Sequence, residues 1–148
     1  MTKSTNFVDR WRKNPENRDA RLWSALDRPG GVGSALVVAN FFHPRLIEID
    51  GCVLLAENYD GDIFSRWREQ LGTARARIEE MMNLVNIADL FINDSEATAE
   101  ELDELARTVG RHWRSALSDQ FPGREFTIGV TTSDVNPDGP EITFYSAG

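Results

Sequence analysis

The longest amphipathic helix in the sequence constrains the fold more than any other feature. Its start is marked by Thr98–Glu101, a capping box in which the threonine and glutamate side chains bond free backbone amides. Apolar residues then recur at helical spacing from Leu102 to Leu117, and Pro122 and Gly123 end the helix. Such a helix needs a second element to cover its apolar face.

The segment after this helix predicts a pair of strands within residues 124–146. Apolar and polar residues alternate from Phe126 to Thr131, and again from Glu141 to Tyr145. Strict alternation is typical of strands that bury one face and expose the other. We therefore expect the C-terminal strands to form part of an antiparallel sheet.

A hairpin is predicted before the helical region. Leu46–Ile49 and Cys52–Ala56 flank Asp50 and Gly51, a residue pair that two-residue hairpin turns favour. The alternative is one long strand over 45–57 with a glycine bulge. Either arrangement adds antiparallel strands to the fold.

The rest of the chain predicts one more strand and several helices. Ser34–Phe42 is apolar on both faces, as expected of a central strand or of one covered on both sides. Helical spacing of apolar residues predicts a short N-terminal helix around Phe7–Trp11. The same spacing predicts helices over Asn14–Leu26, Asp62–Leu71 and Thr73–Ile92.

Together these elements predict an α+β fold. We expect an antiparallel sheet of about four to five strands, packed on one face by three longer helices, with short N-terminal helices. The 148 residues suit a single domain, since domains commonly contain ~100–200 residues. Its parts are an N-terminal helical segment, the first strands, the helices and the C-terminal strand pair, over 1–31, 34–57, 60–121 and 124–146.

The excess of acidic residues limits the classes of partner that this protein is expected to bind. Lys and Arg number 16 against 24 Asp and Glu, which gives a net charge of -8. Nucleic acid and anionic membranes are disfavoured because both bind clustered cations. A basic protein or a cationic ligand fits the charge better, although solubility alone is the ordinary reason for an acidic composition.

The cysteine count and the apolar runs predict a cytoplasmic protein. Cys52 is the only cysteine, so no internal disulfide can form. The polar N-terminus lacks the apolar core of a signal peptide. The longest apolar run, Ala35–Ala39, is far shorter than the ~20 residues that a membrane span needs.

One loop resembles the first half of a calcium-binding loop. Asp134, Asn136 and Asp138 place oxygen side chains at alternate positions, and Gly139 is the sixth residue. Tyr145 then stands where the bidentate glutamate of such a loop belongs. Because Asn, Asp, Pro and Gly also favour turns, the loop is interpreted chiefly as a turn, and calcium binding is the alternative.

No sequence motif predicts a catalytic centre. Cys52 lies beside apolar residues and is interpreted as a small buried hydrophobe. Glu79 and Glu80 are expected on a solvated helix face. Gly110 costs about 1 kcal/mol within a helix, which close packing against a neighbouring helix would explain.

The first functional hypothesis is therefore a non-catalytic protein that acts by protein–protein interaction, as a regulator, accessory subunit or inhibitor. Aromatic residues of the N-terminal region and acidic residues of the turns could form its surface. The predicted interface residues are Phe7, Trp11, Trp23, Asp50, Asp60 and Asp62. A homodimer is compatible with this hypothesis.

The second hypothesis is a small-molecule-binding protein or enzyme. Polar residues on apolar helix faces motivate it, because they could line a pocket between the sheet and the helices. The predicted pocket residues are Asn83, Asn86, His112 and Tyr145.

Overall fold

The computed structural model describes residues 6–147, and the chain divides into two compact units, Met1–Asn40 and Phe41–Gly148. The described part of the first unit contains helix α1 (Phe7–Lys13), two short 3₁₀ turns and helix α2 (Gly31–Phe42). The last two residues of α2 belong to the second unit.

The N-terminal unit is less helical than the sequence predicts. Asn6 caps α1 by accepting a hydrogen bond from the Asp9 amide at 2.9 Å. In place of one helix from Asn14 to Leu26, the chain forms 3₁₀ turns at Pro15–Asn17 and Leu22–Leu26. Between them the Ala20 carbonyl accepts a 3.0 Å hydrogen bond from the Arg12 side chain, and the Ser24 amide donates to the Arg21 carbonyl three residues back, as in a 3₁₀ turn.

The predicted strand Ser34–Phe42 is wrong, since this segment lies in α2. The segment is apolar almost throughout, and such a run does not distinguish a buried strand from a helix. Its two valines favour a strand by propensity, but they do not decide the structure.

The first sheet of the second unit is the predicted hairpin. Strand β1 (Leu46–Ile49) pairs antiparallel with strand β2 (Cys52–Leu55), and Ile49 lies opposite Cys52. Asp50 and Gly51 both have positive φ, 52° and 82°, as a type I′ turn requires. The alternative of one bulged strand is therefore excluded.

Four helices follow the hairpin in the second unit. Asp60 caps the first of them by accepting hydrogen bonds from the amides of Asp62 and Ile63. The capping box predicted at Thr98 and Glu101 is present at the start of the last. The helices are α3 (Gly61–Leu71), α4 (Arg75–Met82), α5 (Ile87–Leu90) and α6 (Ala99–Gln120).

The helix predicted over Thr73–Ile92 is interrupted in its middle. After α4 the chain is extended at strand β3 (Val85–Asn86), and α5 begins at the next residue. Val85 pairs with Ile142 of strand β5 (Glu141–Ser146), so tertiary pairing replaces one helical turn.

The second sheet has three strands in the order β3-β5-β4, where strand β4 (Phe126–Thr131) and β5 form the predicted C-terminal pair. The mixed α+β class is thus confirmed. The single sheet of four to five strands is wrong, because the structure has separate sheets of two and three strands. Helix α4 packs against both β2 and β5.

The main core lies where α6 covers the three-stranded sheet. Trp113 is at its centre, stacks edge-to-face with Phe144 and donates a 2.9 Å hydrogen bond to the Phe41 carbonyl. A Cβ at Gly110 would lie 2.9 Å from the Val130 side chain. Gly110 therefore allows α6 to approach a strand, not a neighbouring helix as predicted. A second cluster comprises Cys52, Leu54, Phe64, Ile78 and Met82.

Within residues 6–147 no helix is both long enough and apolar enough to cross a membrane.

Candidate functional site

Two buried polar side chains, one in α4 and one at the residue that caps its C-terminus, connect the sheets. Glu79 and Asn83 are one helical turn apart, and both are fully buried. The Glu79 carboxylate accepts hydrogen bonds from the Val53 amide at 2.8 Å and from the Ser146 amide at 2.9 Å. The Ser146 hydroxyl donates a third, at 3.0 Å. The expectation of a solvated Glu79 is wrong, because the carboxylate satisfies backbone donors of β2 and β5.

Asn83 completes this connection with three hydrogen bonds. Its Oδ1 accepts from the Leu55 amide at 3.0 Å, and its Nδ2 donates to the Val53 carbonyl at 3.0 Å. The same Nδ2 donates to the Phe144 carbonyl at 3.2 Å. Each partner is a backbone group at a strand edge that no neighbouring strand reaches. Asn83 thus has a structural role between the sheets.

A groove of about 610 Å³ opens beside this pair of side chains. The hairpin turn, the end of α3, the first turns of α4 and the end of β5 form its walls. Arg68, Arg75 and Arg77 line it together with Asp50. Ala74 and Ala76 beside these arginines, and the buried Ile78, make up the rest of the α4 wall.

The ion pairs of the groove leave part of its positive charge unopposed. Arg68 is 2.7 Å from the Asp50 carboxylate. Arg77 is 3.4 Å from Glu80, and this partly exposed pair contributes little to stability. Arg75 lies against the hairpin turn, 3.4 Å from where a Cβ of Gly51 would be. Among the described residues it forms no ion pair.

The Cys52 thiol at the edge of this groove is not suited to nucleophilic attack. Cys52 is 1% exposed. Burial raises the pKa of its thiol, and the Glu79 carboxylate raises it further, while Arg68 and Arg75 oppose the shift. A raised pKa keeps the thiol protonated, and the thiolate is the nucleophile. The interpretation of Cys52 as a buried hydrophobe agrees with this environment.

The four predicted pocket residues lie at separate places. Asn83 is between the sheets, whereas Asn86 caps α5 and donates a 3.2 Å hydrogen bond to the Asp138 carbonyl. His112 is exposed and packs edge-to-face on Phe42. Tyr145 lines a smaller groove of about 230 Å³. These residues therefore do not share one pocket.

In the loop that resembles a calcium site, the side-chain oxygens bond within the loop. The Thr132 hydroxyl donates to the Asp134 carboxylate and lowers the pKa of Asp134. Asn136 accepts from the Asp138 amide at 3.1 Å and donates to Glu141 at 2.7 Å. Over residues 6–147 no group of three or more His, Cys, Asp or Glu is placed to hold a metal ion. Calcium binding at Asp134, Asn136 and Asp138 stays a prediction.

The predicted interface residues divide between the two units. Phe7, Trp11 and Trp23 lie in the first unit, where Trp23 is 80% exposed. In the second unit Asp50 pairs with Arg68 and Asp60 caps α3. Asp62 is exposed in the first turn of α3.

The arginines of the groove were not indicated by the net charge, which is dominated by acidic residues. Part of the cluster is visible in the sequence, because Arg75 and Arg77 are the first and third residues of one helix. Comparison with protein families, curated proteins and solved structures found no match to this chain.

Proposed function

We propose that this protein acts by protein–protein interaction, through a surface that includes the exposed part of α2. One observation carries the proposal: α2 is apolar on almost every side, and its large side chains are open to solvent. Val32 is 78% exposed, Leu36 66% and Val37 71%. A helix that is apolar all round is normally buried.

The described part of the N-terminal unit has no hydrophobic core of its own. Gly31 is its only buried residue between 6 and 40. Each Å² of apolar surface removed from water stabilises by roughly 25 cal/mol, so covering α2 is favourable. Exposed apolar patches of this kind commonly mark contact sites.

We propose a second copy of the chain as the partner, on grounds of charge. Residues 1–40 contain seven Lys and Arg and four Asp and Glu, a net charge of +3. Residues 41–148 contain the remaining nine basic residues and 20 Asp and Glu, which gives a net charge of -11. The basic N-terminal unit of one copy thus complements the acidic unit of another, which also fits the expectation of a basic partner.

The test is the mass of the full chain in native mass spectrometry and light scattering, from about 1 μM to about 100 μM protein. We expect a dimer at low salt that weakens at about 0.5 M NaCl, since screening reduces the attraction. Leu36→Gln combined with Val37→Gln should leave a monomer. The matched control is Val135→Gln, at a 72% exposed valine of the second unit, which should remain dimeric.

A wild-type chain that remains monomeric at the highest concentration would overturn self-association. Equal weakening by the control and by the double substitution would show that α2 is not the contact surface. In both cases the melting temperature verifies that each variant is folded.

A further inference from the structure

We propose that the groove between the hairpin turn and α4 binds a small organic phosphate through Arg68, Arg75 and Arg77. The inference is independent of self-association through α2. It gives the second functional hypothesis, a small-molecule site between sheet and helices, a location and a ligand class.

Basic residues line this groove although its unit is acidic overall. Residues 41–148 contain nine arginines, no lysines and 20 acidic residues, yet three of the arginines line this single groove. Asp50 is the only carboxylate in its lining. Asp50 pairs with Arg68 and Glu80 pairs with Arg77, which leaves Arg75 as the arginine of the lining that forms no ion pair among the described residues.

The arrangement of the arginines suits a planar or tetrahedral oxyanion. Arg75 is exposed and unpaired among the described residues, so its five N–H donors are available to a ligand. The pair with Asp50 holds Arg68 at the hairpin turn, against which Arg75 also lies. Guanidinium groups bind phosphate oxygens with two parallel hydrogen bonds, which gives Arg an advantage over Lys at such a site.

The remaining walls favour an organic phosphate over the bare ion. Ala74 and Ala76 give the groove an apolar side. Its volume of about 610 Å³ is within the ~300–1,000 Å³ of small-molecule sites, and a phosphate ion alone would fill little of it. The body of the ligand would lie on this apolar wall while its phosphate contacts the arginines.

The experiment titrates the ¹⁵N-labelled full chain with inorganic phosphate and, separately, with phenyl phosphate at about pH 7.5, where phosphate is mostly dianionic. We expect amide shifts concentrated in residues 72–78 and at Gly51. Phenyl phosphate should bind at least about threefold more tightly than inorganic phosphate, because its ring contacts the apolar wall.

The key variant is Arg75→Gln, which should weaken phenyl phosphate binding about tenfold or more through loss of a charge-assisted pair. The matched control is Arg107→Gln, at an exposed arginine of α6 outside the groove, which should change affinity by less than about twofold. Thermal melting verifies that both variants are folded. Leu36→Gln with Val37→Gln should bind phenyl phosphate as the wild type does, which separates this site from self-association.

The absence of localised shifts up to about 10 mM of either probe would overturn the proposal. Equal weakening by Arg75→Gln and Arg107→Gln would also overturn it, since only general electrostatic attraction would then remain. Binding of both probes with equal affinity would contradict the assignment of an organic ligand.

Discussion

At the scale of single residues, Glu79 and Asn83 explain how two small sheets remain together. These side chains make six hydrogen bonds to β2 and β5. Five of them involve backbone groups that would otherwise be buried without partners, and the sixth comes from the Ser146 hydroxyl. An unsatisfied buried backbone group costs about 1–3 kcal/mol. The pair therefore replaces the hydrogen bonds that a continuous sheet would supply.

Asn83→Ala should lower the free energy of unfolding by about 3 kcal/mol, because it leaves the Leu55 amide and the carbonyls of Val53 and Phe144 without partners. Urea denaturation measures the effect. Asn86→Ala is the comparison, since it removes a helix cap and should cost only about 1 kcal/mol. Equal losses would contradict the role assigned to Asn83.

Cys52 gives a prediction for reactivity. The native thiol should react with iodoacetamide at neutral pH about 100-fold more slowly than the thiol of the urea-unfolded chain, because it is buried and its pKa is raised. The rate is measured by mass spectrometry. Fast labelling of the native protein would contradict the buried position.

The same shift has a consequence for stability at alkaline pH. Since the folded thiol has the higher pKa, the folded chain holds its proton over a pH range in which the unfolded thiol has lost it. This contribution is fully present below the thiol pKa of the unfolded chain, about 8.5, and decreases as the pH rises through the folded value. Cys52→Ser should show a smaller alkaline loss in urea denaturation.

At the scale of helices and strands, local patterns predict the elements whose ends carry turn or capping residues. The capping box at Thr98 defines α6, and Asp50 with Gly51 defines the hairpin. Two predictions fail. Ser34–Phe42 is an apolar run without a clear period, and it forms a helix. Within Thr73–Ile92 a strand forms, and its pairing partner lies far away in sequence. Val85 becomes a strand residue only because β5 is beside it.

Gly110→Ala tests the contact between α6 and β4. Alanine favours helix by about 1 kcal/mol, but its Cβ would lie 2.9 Å from the Val130 side chain, so we expect a net destabilisation of about 1 kcal/mol. In a Val130→Ala background the clash is absent, and the substitution should become neutral or stabilising. Thermal unfolding of the four chains measures this coupling.

At the scale of the whole molecule, the two units differ in both core and charge. Every buried large apolar side chain between residues 6 and 147 lies beyond Asn40. The N-terminal 40 residues are basic and the rest acidic, which the total of -8 conceals. Composition alone predicts that total. The exposure of α2 and the grouping of Arg68, Arg75 and Arg77 depend on tertiary positions, so composition does not predict them.

Limited proteolysis connects this division to the proposed self-association. Six of the 16 Lys and Arg lie between residues 10 and 28, outside the core, so trypsin should cleave there first and leave a resistant fragment that contains 41–148. Because a second copy would cover this region, cleavage of the wild type should slow as protein concentration rises from about 1 μM to about 100 μM. Leu36→Gln with Val37→Gln should be cleaved at the fast rate throughout. Early cleavage within α6, at Arg107 or Arg111, would contradict the division, because these sites lie in the helix that covers the core.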